Sequence, residues 1–415
     1  MNRSRPRGLS AAALALALAV TGCSSKATTS SGTAATAPGV SDSVIKLGML
    51  QDLSGAFATS GKTSNAASQF AVDEINAAGG VCGRKIELVV RDHAYDVQKA
   101  VTAYDEVAPQ VLGFLNVYGS AITSALRDKI TANDMLVGLT AFAPTLLGDP
   151  HLIVVGATYD VQAVNSVDWM VRQGMLKRGD TLGHIYLQGE IGENTLKGST
   201  FATGKLGLKL VSRQIKPTDA DLTSQVNAVK AAGAKAILLD STAKQTAAVA
   251  SAAQAAGLDV PIVGNVATFA TSLLSTAAAP ALLKQYYRVS GVGLLSADTP
   301  AVRKLADKWK AKFGAQQPES GGAVVLAYVT THLWAKIISG TCGDLTRKGV
   351  LAARTKVTRF SMDGLGPALD LSDPAQPTSR ESQIHRPDKG VYAGMKLVEG
   401  FKVSDLAKEY QVKAG

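Results

Sequence analysis

Three cysteines, five histidines and 5% aromatic residues are few for a chain of 415 residues, and each scarcity removes a class of chemistry. Without a CxxC pair there is no thiolate cluster for zinc or for dithiol redox work. His93, His151, His184, His332 and His385 stand singly, with no HExxH and no pair at helical spacing, so no metal site is expected. A G-x-S-x-G nucleophile elbow is absent too. Gly55 to Thr63 resembles a phosphate-binding loop, but five residues separate Gly55 from Gly61 where the nest requires four. Asp92 and Asp96 form a carboxylate pair, yet Asp96 reads as a helix cap and not as half of an acid–base couple. The expectation is a protein without cofactor or metal that is not an enzyme.

Charge of one sign is in modest excess. Lys and Arg number 43 against 33 Asp and Glu, for a net +10 that falls to +7 without Arg3, Arg5 and Arg7. The basic residues are dispersed and not interleaved with aromatics, which argues against nucleic acid and for a solvated surface compatible with anionic lipid headgroups. Hydrophobic residues make up 46% of the chain, ample for large cores, and the length favours two domains.

What is present begins at the N-terminus. Arg3, Arg5 and Arg7 precede an apolar run from Leu9 to Val20 and then Val20-Thr21-Gly22-Cys23. At about a dozen residues the run is shorter than the ~20 that span a bilayer, so it reads as an export signal. The segment resembles the lipobox of bacterial lipoproteins, which implies cleavage after residue 22 and lipidation of Cys23. Ser24 to Ser41 is rich in Ser, Thr, Ala and Gly and buries nothing, so residues 23–43 are expected to be a flexible tether. Cys82 and Cys342 remain; each sits beside glycine in a loop-like context. In an oxidising compartment a single disulfide between them is expected, two free thiols being the alternative.

From Val44 onward short β-rich runs alternate with Ala-rich helical stretches. Strands are expected at Val44–Leu50, Lys85–Arg91, Val111–Val117 and Met135–Leu139, with helices at Lys62–Ala78, after Asp96, and at Ser120–Asn133. The order then repeats between Val161 and Gly264, and helices at Pro300–Phe313 and Gly322–Ser339 follow. Short strands are expected around Ala368–Leu371 and Val391–Val398 near the C-terminus. Two successive βα arrays imply an α/β protein with two Rossmann-like lobes on parallel sheets.

The residues that fill this pattern resemble the leucine/isoleucine/valine-binding family of ABC-transporter solute receptors, the type I periplasmic binding proteins. Ile45-Lys46-Leu47-Gly48, Leu53-Ser54-Gly55, Val72 to Val81, Gly83 to Leu88 and Asp92 to Asp96 carry the likeness in order. Ala141 to Pro144, Ile191-Gly192-Glu193, Gln254 to Gly257 and Gly364 to Pro367 continue it. The resemblance implies two lobes joined by three crossovers near Thr158, Leu294 and Leu371. That would make residues 44–158 plus 294–370 one lobe and 159–293 plus 371–415 the other. It also implies a small-molecule solute held in the cleft, and an ABC permease as membrane partner of a monomeric, extracytoplasmic receptor.

In an open α/β sheet, ligands sit beyond the carboxyl ends of the strands, where helix N-termini offer free N–H groups. On the first lobe this selects Ser60, Tyr118-Gly119-Ser120 and Ala141-Phe142, with Phe57 and Tyr159 as further aromatic wall. On the second it selects Glu190-Ile191, Asp240, Val266 and Thr268. Ser and Gly at helix starts also serve as caps and turns, and the aromatics also serve as core. Amino-acid-binding relatives place carboxylates after the second-lobe strands to pair the ligand ammonium; here Leu187 and Val266 stand in those places, with Glu190 or Asp240 as substitutes. The expected solute is therefore an amino acid, or equally a small carboxylate or carbonyl compound with an apolar or aromatic body. A ligand sensor of the same fold, or an exported hydrolase, are the alternative functions.

Overall fold

The computed structural model describes residues 37–314 and 318–415. The export signal, Cys23 and most of the expected tether lie outside them. The expected tether extended to residue 43, but the chain is already tied down from Ala37, whose N–H donates to Leu345 O at 2.8 Å. Gly39 O accepts from Lys46 N at 2.8 Å, so this stretch packs beside the first strand because its backbone finds partners there.

Two sheets organise the chain. The first runs in the order β2 (Lys85–Asp92), β1 (Val44–Gln51), β3 (Gly113–Tyr118), β4 (Val137–Thr140), β5 (Leu152–Val154), all parallel. Its connections are α1 (Ala58–Ala77), α2 (Val97–Val107) and α3 (Ser120–Ala132). Every residue of β3 is buried, and burial on both faces explains its apolar character, interrupted by Asn116. Asp96 accepts from Lys99 N at 2.9 Å and so caps α2.

After β5 the chain enters α4 (Tyr159–Arg172) and builds the second sheet from β6 (Thr181–Leu187), β7 (Lys209–Ile215), β8 (Ala234–Leu239), β9 (Ile262–Gly264) and β10 (Tyr286–Ser290). α5 (Glu190–Leu206), α6 (Thr223–Ala231), α7 (Ala243–Ala255) and α8 (Ala279–Gln285) connect them. Thr242 and Gln245 form a reciprocal capping box at the start of α7. The chain then returns to the first sheet's side, where α10 (Gly321–Ser339) packs on α1, accompanied by α9 (Pro300–Phe313) and α11 (Arg347–Arg354). A last passage delivers β11 (Ser382–Pro387) and β12 (Met395–Lys402) as antiparallel edge strands of the second sheet, before α12 (Asp405–Glu409). Three passages between two α/β lobes make the type I periplasmic-binding-protein architecture.

The differences from expectation lie in the shortest elements. Phe360 and Leu369 form only an isolated bridge where a strand was expected, and the strand expected at Val391–Val398 begins at Met395. α10 is long and apolar because most of it is buried inside the protein. The disulfide Cys82–Cys342, with Cα atoms 5.3 Å apart, joins the turn after α1 to the turn after α10.

Apolar packing divides into three clusters. One fills the first lobe around β1, β3 and α10, and one lies under α4. The third joins Phe57, just before α1, and Tyr118, at the end of β3, to Leu187, Leu239 and Phe269 of the second array and to Leu294 after β10. That third cluster is mostly the core of the second lobe beneath α6, α7 and α8, and Phe57 and Tyr118 join it at the seam where the carboxyl ends of the two sheets meet.

Candidate functional site

A cavity of about 220 Å³ opens in this seam. Ala56, Phe57, Thr59 and Ser60 line it from the loop before α1 and its first turn; Thr242, Ala243 and Lys244 line it from the start of α7. Pro217, Val266, Ala267, Phe269, Ala270 and Ser320 complete the wall. It is smaller than the ~300–1,000 Å³ usual for a ligand site. Larger grooves of about 570 and 760 Å³ lie along α9 and between α5, Pro144 and the C-terminal segment.

Phe57 is held by its own N–H, which donates to Asp52 Oδ2 at 2.8 Å, and its ring centroid lies 4.7 Å from Tyr95 and 6.3 Å from Tyr118. Burial pushes the Tyr118 phenol up to about 12, with the neighbouring Ser60 hydroxyl acting the other way. Tyr95 and Tyr159 are also raised by burial, and each feels other phenols of the group. Three neutral phenols thus converge behind the cavity.

Gly119 has φ +106°, and a Cβ there would lie 2.5 Å from the Tyr95 ring. This glycine is required twice over, by its backbone and by the ring packed on it. Ser120, the first residue of α3, is wholly buried with its Oγ unpaired and is close enough to Tyr159 to lower that phenol's pKa. Ala141 and Phe142 follow β4; Phe142 O accepts from Tyr159 N at 2.8 Å, and the two rings meet edge to face at 5.6 Å.

From the second lobe, Glu190 opens α5 and accepts the Ser124 hydroxyl of α3 at 2.7 Å. Its other oxygen is buried without a partner. Ile191 beside it packs against both the first-lobe cluster and the seam. Val266 lines the cavity directly. Asp240 and Thr268 are turned into the second lobe's own network. Asp240 is fully buried, with Oδ2 2.7 Å from His184 Nε2 and Oδ1 accepting from Asn265 at 2.6 Å. Thr268 donates to or accepts from Tyr286 at 2.5 Å and reaches Asn265 O at 2.6 Å.

Tyr95 and Phe269 were not singled out from the sequence. Tyr95 follows Ala94, and both have positive φ, 57° and 51°, a strained turn that lays the ring on Phe57. Sequence spacing carries no sign of such a turn.

Residues 44–394 match the sequence model of the periplasmic binding proteins. The chain belongs to that family. Its members capture small-molecule solutes outside the cytoplasm for the membrane permeases of ABC transporters, and they are binding proteins, not enzymes. Among solved structures, a fatty acid ABC transporter substrate-binding protein from Thermomonospora curvata superposes with a TM-score of 0.88 at 37% identity, covering 91% of this chain and 97% of that one. A branched-chain amino acid ABC transporter protein from Thermus thermophilus with bound valine shares the fold, with a TM-score of 0.78 at 15% identity over 89% of this chain and 99% of that one. Among curated relatives, Leu/Ile/Val-binding protein homolog 7 of Brucella suis is 26% identical over 80% of this chain and 84% of its own length. Among the described residues no cluster of His, Cys, Asp or Glu suits a metal ion.

Proposed function

We propose that this periplasmic binding protein is the receptor of an ABC importer for apolar monocarboxylic acids, with fatty acids as the leading class. One observation carries the reading. At the second-lobe strand ends, where an ammonium would require a free carboxylate, Leu187 and Val266 are apolar, and both oxygens of Asp240 are engaged by His184 and Asn265. A desolvated ammonium without a paired anion is strongly disfavoured. Phe57 and Phe269 instead offer an apolar wall, with the neutral phenols of Tyr95 and Tyr118 packed on Phe57. The 37%-identical Thermomonospora protein, described as a fatty acid receptor, supports the same class.

In this reading Phe57, Ser60, Tyr118, Gly119, Ser120, Ala141, Phe142, Tyr159, Ile191 and Val266 form the walls. The lobes, 44–158 with 294–370 and 159–293 with 371–415, part and close about the crossovers near Thr158, Leu294 and Leu371. Cys23 bears the lipid that holds the monomeric receptor to the membrane beside its permease. The test is mass spectrometry of small molecules released on denaturing the purified protein, together with thermal shifts against saturated fatty acids from six to sixteen carbons. Release of an unmodified fatty acid, and stabilisation by one, are the expected results; stabilisation by none of them would remove the reading.

One observation favours a second reading, a branched-chain amino acid. The unpaired buried oxygen of Glu190 is the only carboxylate oxygen of the described residues left without a partner in this way, and it sits on the second lobe, where an ammonium would be held. Leucine stabilising the wild type but not Glu190→Gln would establish that alternative.

A further inference from the structure

Arg288 lies in the middle of β10 and is 1% exposed, and no carboxylate of the described residues pairs with it. Its Nε and Nη2 are buried without a hydrogen-bond partner. The titratable side chains that act on it or feel it are Tyr286, two residues earlier on the strand, and His385 on the neighbouring β11. Burial lowers the guanidinium to about 10, which still leaves it charged at neutral pH. His385 is held neutral by the same burial and by the positive charge of Arg288.

The guanidinium also meets a second positive element. Gly322 is the second residue of the nineteen-residue helix α10, and a Cβ on it would lie 2.8 Å from Arg288 Nη2. The first turn of a helix carries unpaired N–H groups and the positive end of its dipole. A buried cation against a helix N-terminus, with no acid between them, is unfavourable on both counts and is relieved by one anion accepting from both.

Neither Arg288 nor Gly322 lines the seam cavity; the pair lies buried behind residues that do. Ser320, the cap of α10, lines the cavity two residues before Gly322, and Phe269, another lining residue, stacks on Tyr286 at 6.2 Å. Leu294, beside both Gly322 and the guanidinium, belongs to the same apolar cluster as Phe57 and Tyr118. Lys244 also lines the cavity, but it is exposed at the rim, where water screens its charge.

We propose that the guanidinium of Arg288 and the N-terminal turn of α10 together bind the solute's carboxylate, with the apolar chain directed toward Phe57 and Tyr118. The proposal rests on the reading of the solute as an apolar acid. It adds that the acid is recognised by a buried arginine of the second lobe against a helix of the first, so the head group itself ties the lobes together.

The test is titration calorimetry of the full-length protein with decanoate and with its neutral analogue decanamide. The wild type should prefer decanoate, and Arg288→Met should weaken decanoate about 10- to 100-fold while changing decanamide less than threefold. Gly322→Ala, which pushes a methyl into the guanidinium, should weaken decanoate in the same sense, and Lys284→Met, at an exposed lysine outside the cavity lining, should leave it unchanged. If Arg288→Met does not fold, Arg288→Lys and Gly322→Ala carry the test, since both keep the charge and disturb the fork. An undiminished preference for decanoate in the Arg288 and Gly322 variants, or its loss in Lys244→Met alone, overturns the proposal while the solute reading stands. Failure of the wild type to bind any fatty acid from six to sixteen carbons removes the solute reading, and the proposal with it.

Discussion

The Ser124 hydroxyl, on a helix of the first lobe, donates to Glu190 Oε1 at the start of α5 in the second, 2.7 Å across the seam. The acceptor is a carboxylate at the positive end of a helix, so the bond is charge-assisted and favoured in direction.

Because this bond exists only when the lobes are together, Ser124→Ala should shift the population toward the open form. Ligand affinity is expected to fall about 3- to 10-fold, the worth of one hydrogen bond of about 1 kcal/mol. Small-angle scattering without ligand should show a larger radius of gyration than the wild type. Equal radii and equal affinities would show that the bond does not bear on closure.

Gly119→Ala should destabilise the protein by about 1–3 kcal/mol, since a Cβ meets both a positive φ and the Tyr95 ring. Denaturant unfolding measures the loss, and affinity should fall with it, because the Tyr95 ring so displaced packs on Phe57 of the cavity wall.

His385 is fully buried and its pKa is held well below the ordinary value by burial and then by Arg288. The unfolded chain therefore takes up a proton near pH 6.5 that the folded chain refuses, and stability must fall as the pH drops through that value. The loss approaches about 1.4 kcal/mol per pH unit until the folded-state pKa is reached. His93 and His332, lowered chiefly by burial, act in the same direction. His385→Gln should flatten the decline between pH 6.5 and 5 in chemical denaturation; an unchanged slope would show that His385 does not cause it.

The Cys82–Cys342 bond closes a loop of 260 residues, yet both ends belong to the α1–α10 side of the first lobe. The double variant Cys82→Ser/Cys342→Ser should lose about 2–5 kcal/mol of stability through the freer unfolded chain. Its solute affinity, measured below the melting range, should stay within about twofold, because no cleft residue is tied by the bond.

Most of the sheet and helix order from Val44 to Gly264 was legible because apolar runs alternate with turn residues and the longer elements show their periodicity. β5, β10 and β11 were not, since three to six residues framed by turns carry no period and β10 holds a buried arginine among its apolar neighbours. The cleft was legible in outline, because the carboxyl ends of parallel strands are the only places where loops and helix N-termini converge. Phe57, Ser60 and Val266 do meet in one cavity, whereas Asp240 and Thr268 are taken up by hydrogen bonds that sequence order does not reveal.

What the sequence determined by itself was the class: alternating βα units, with the apolar periods of their strands and helices. Those properties are local, set by residue type and spacing. Tertiary structure alone decided the site's electrostatics: which carboxylate is paired, which phenols gather behind the cavity, and that Arg288 and the start of α10, separated by more than thirty residues, bring two positive ends together. Charge and desolvation depend on what lies within a few ångströms in space, and for this protein those neighbours come from opposite lobes.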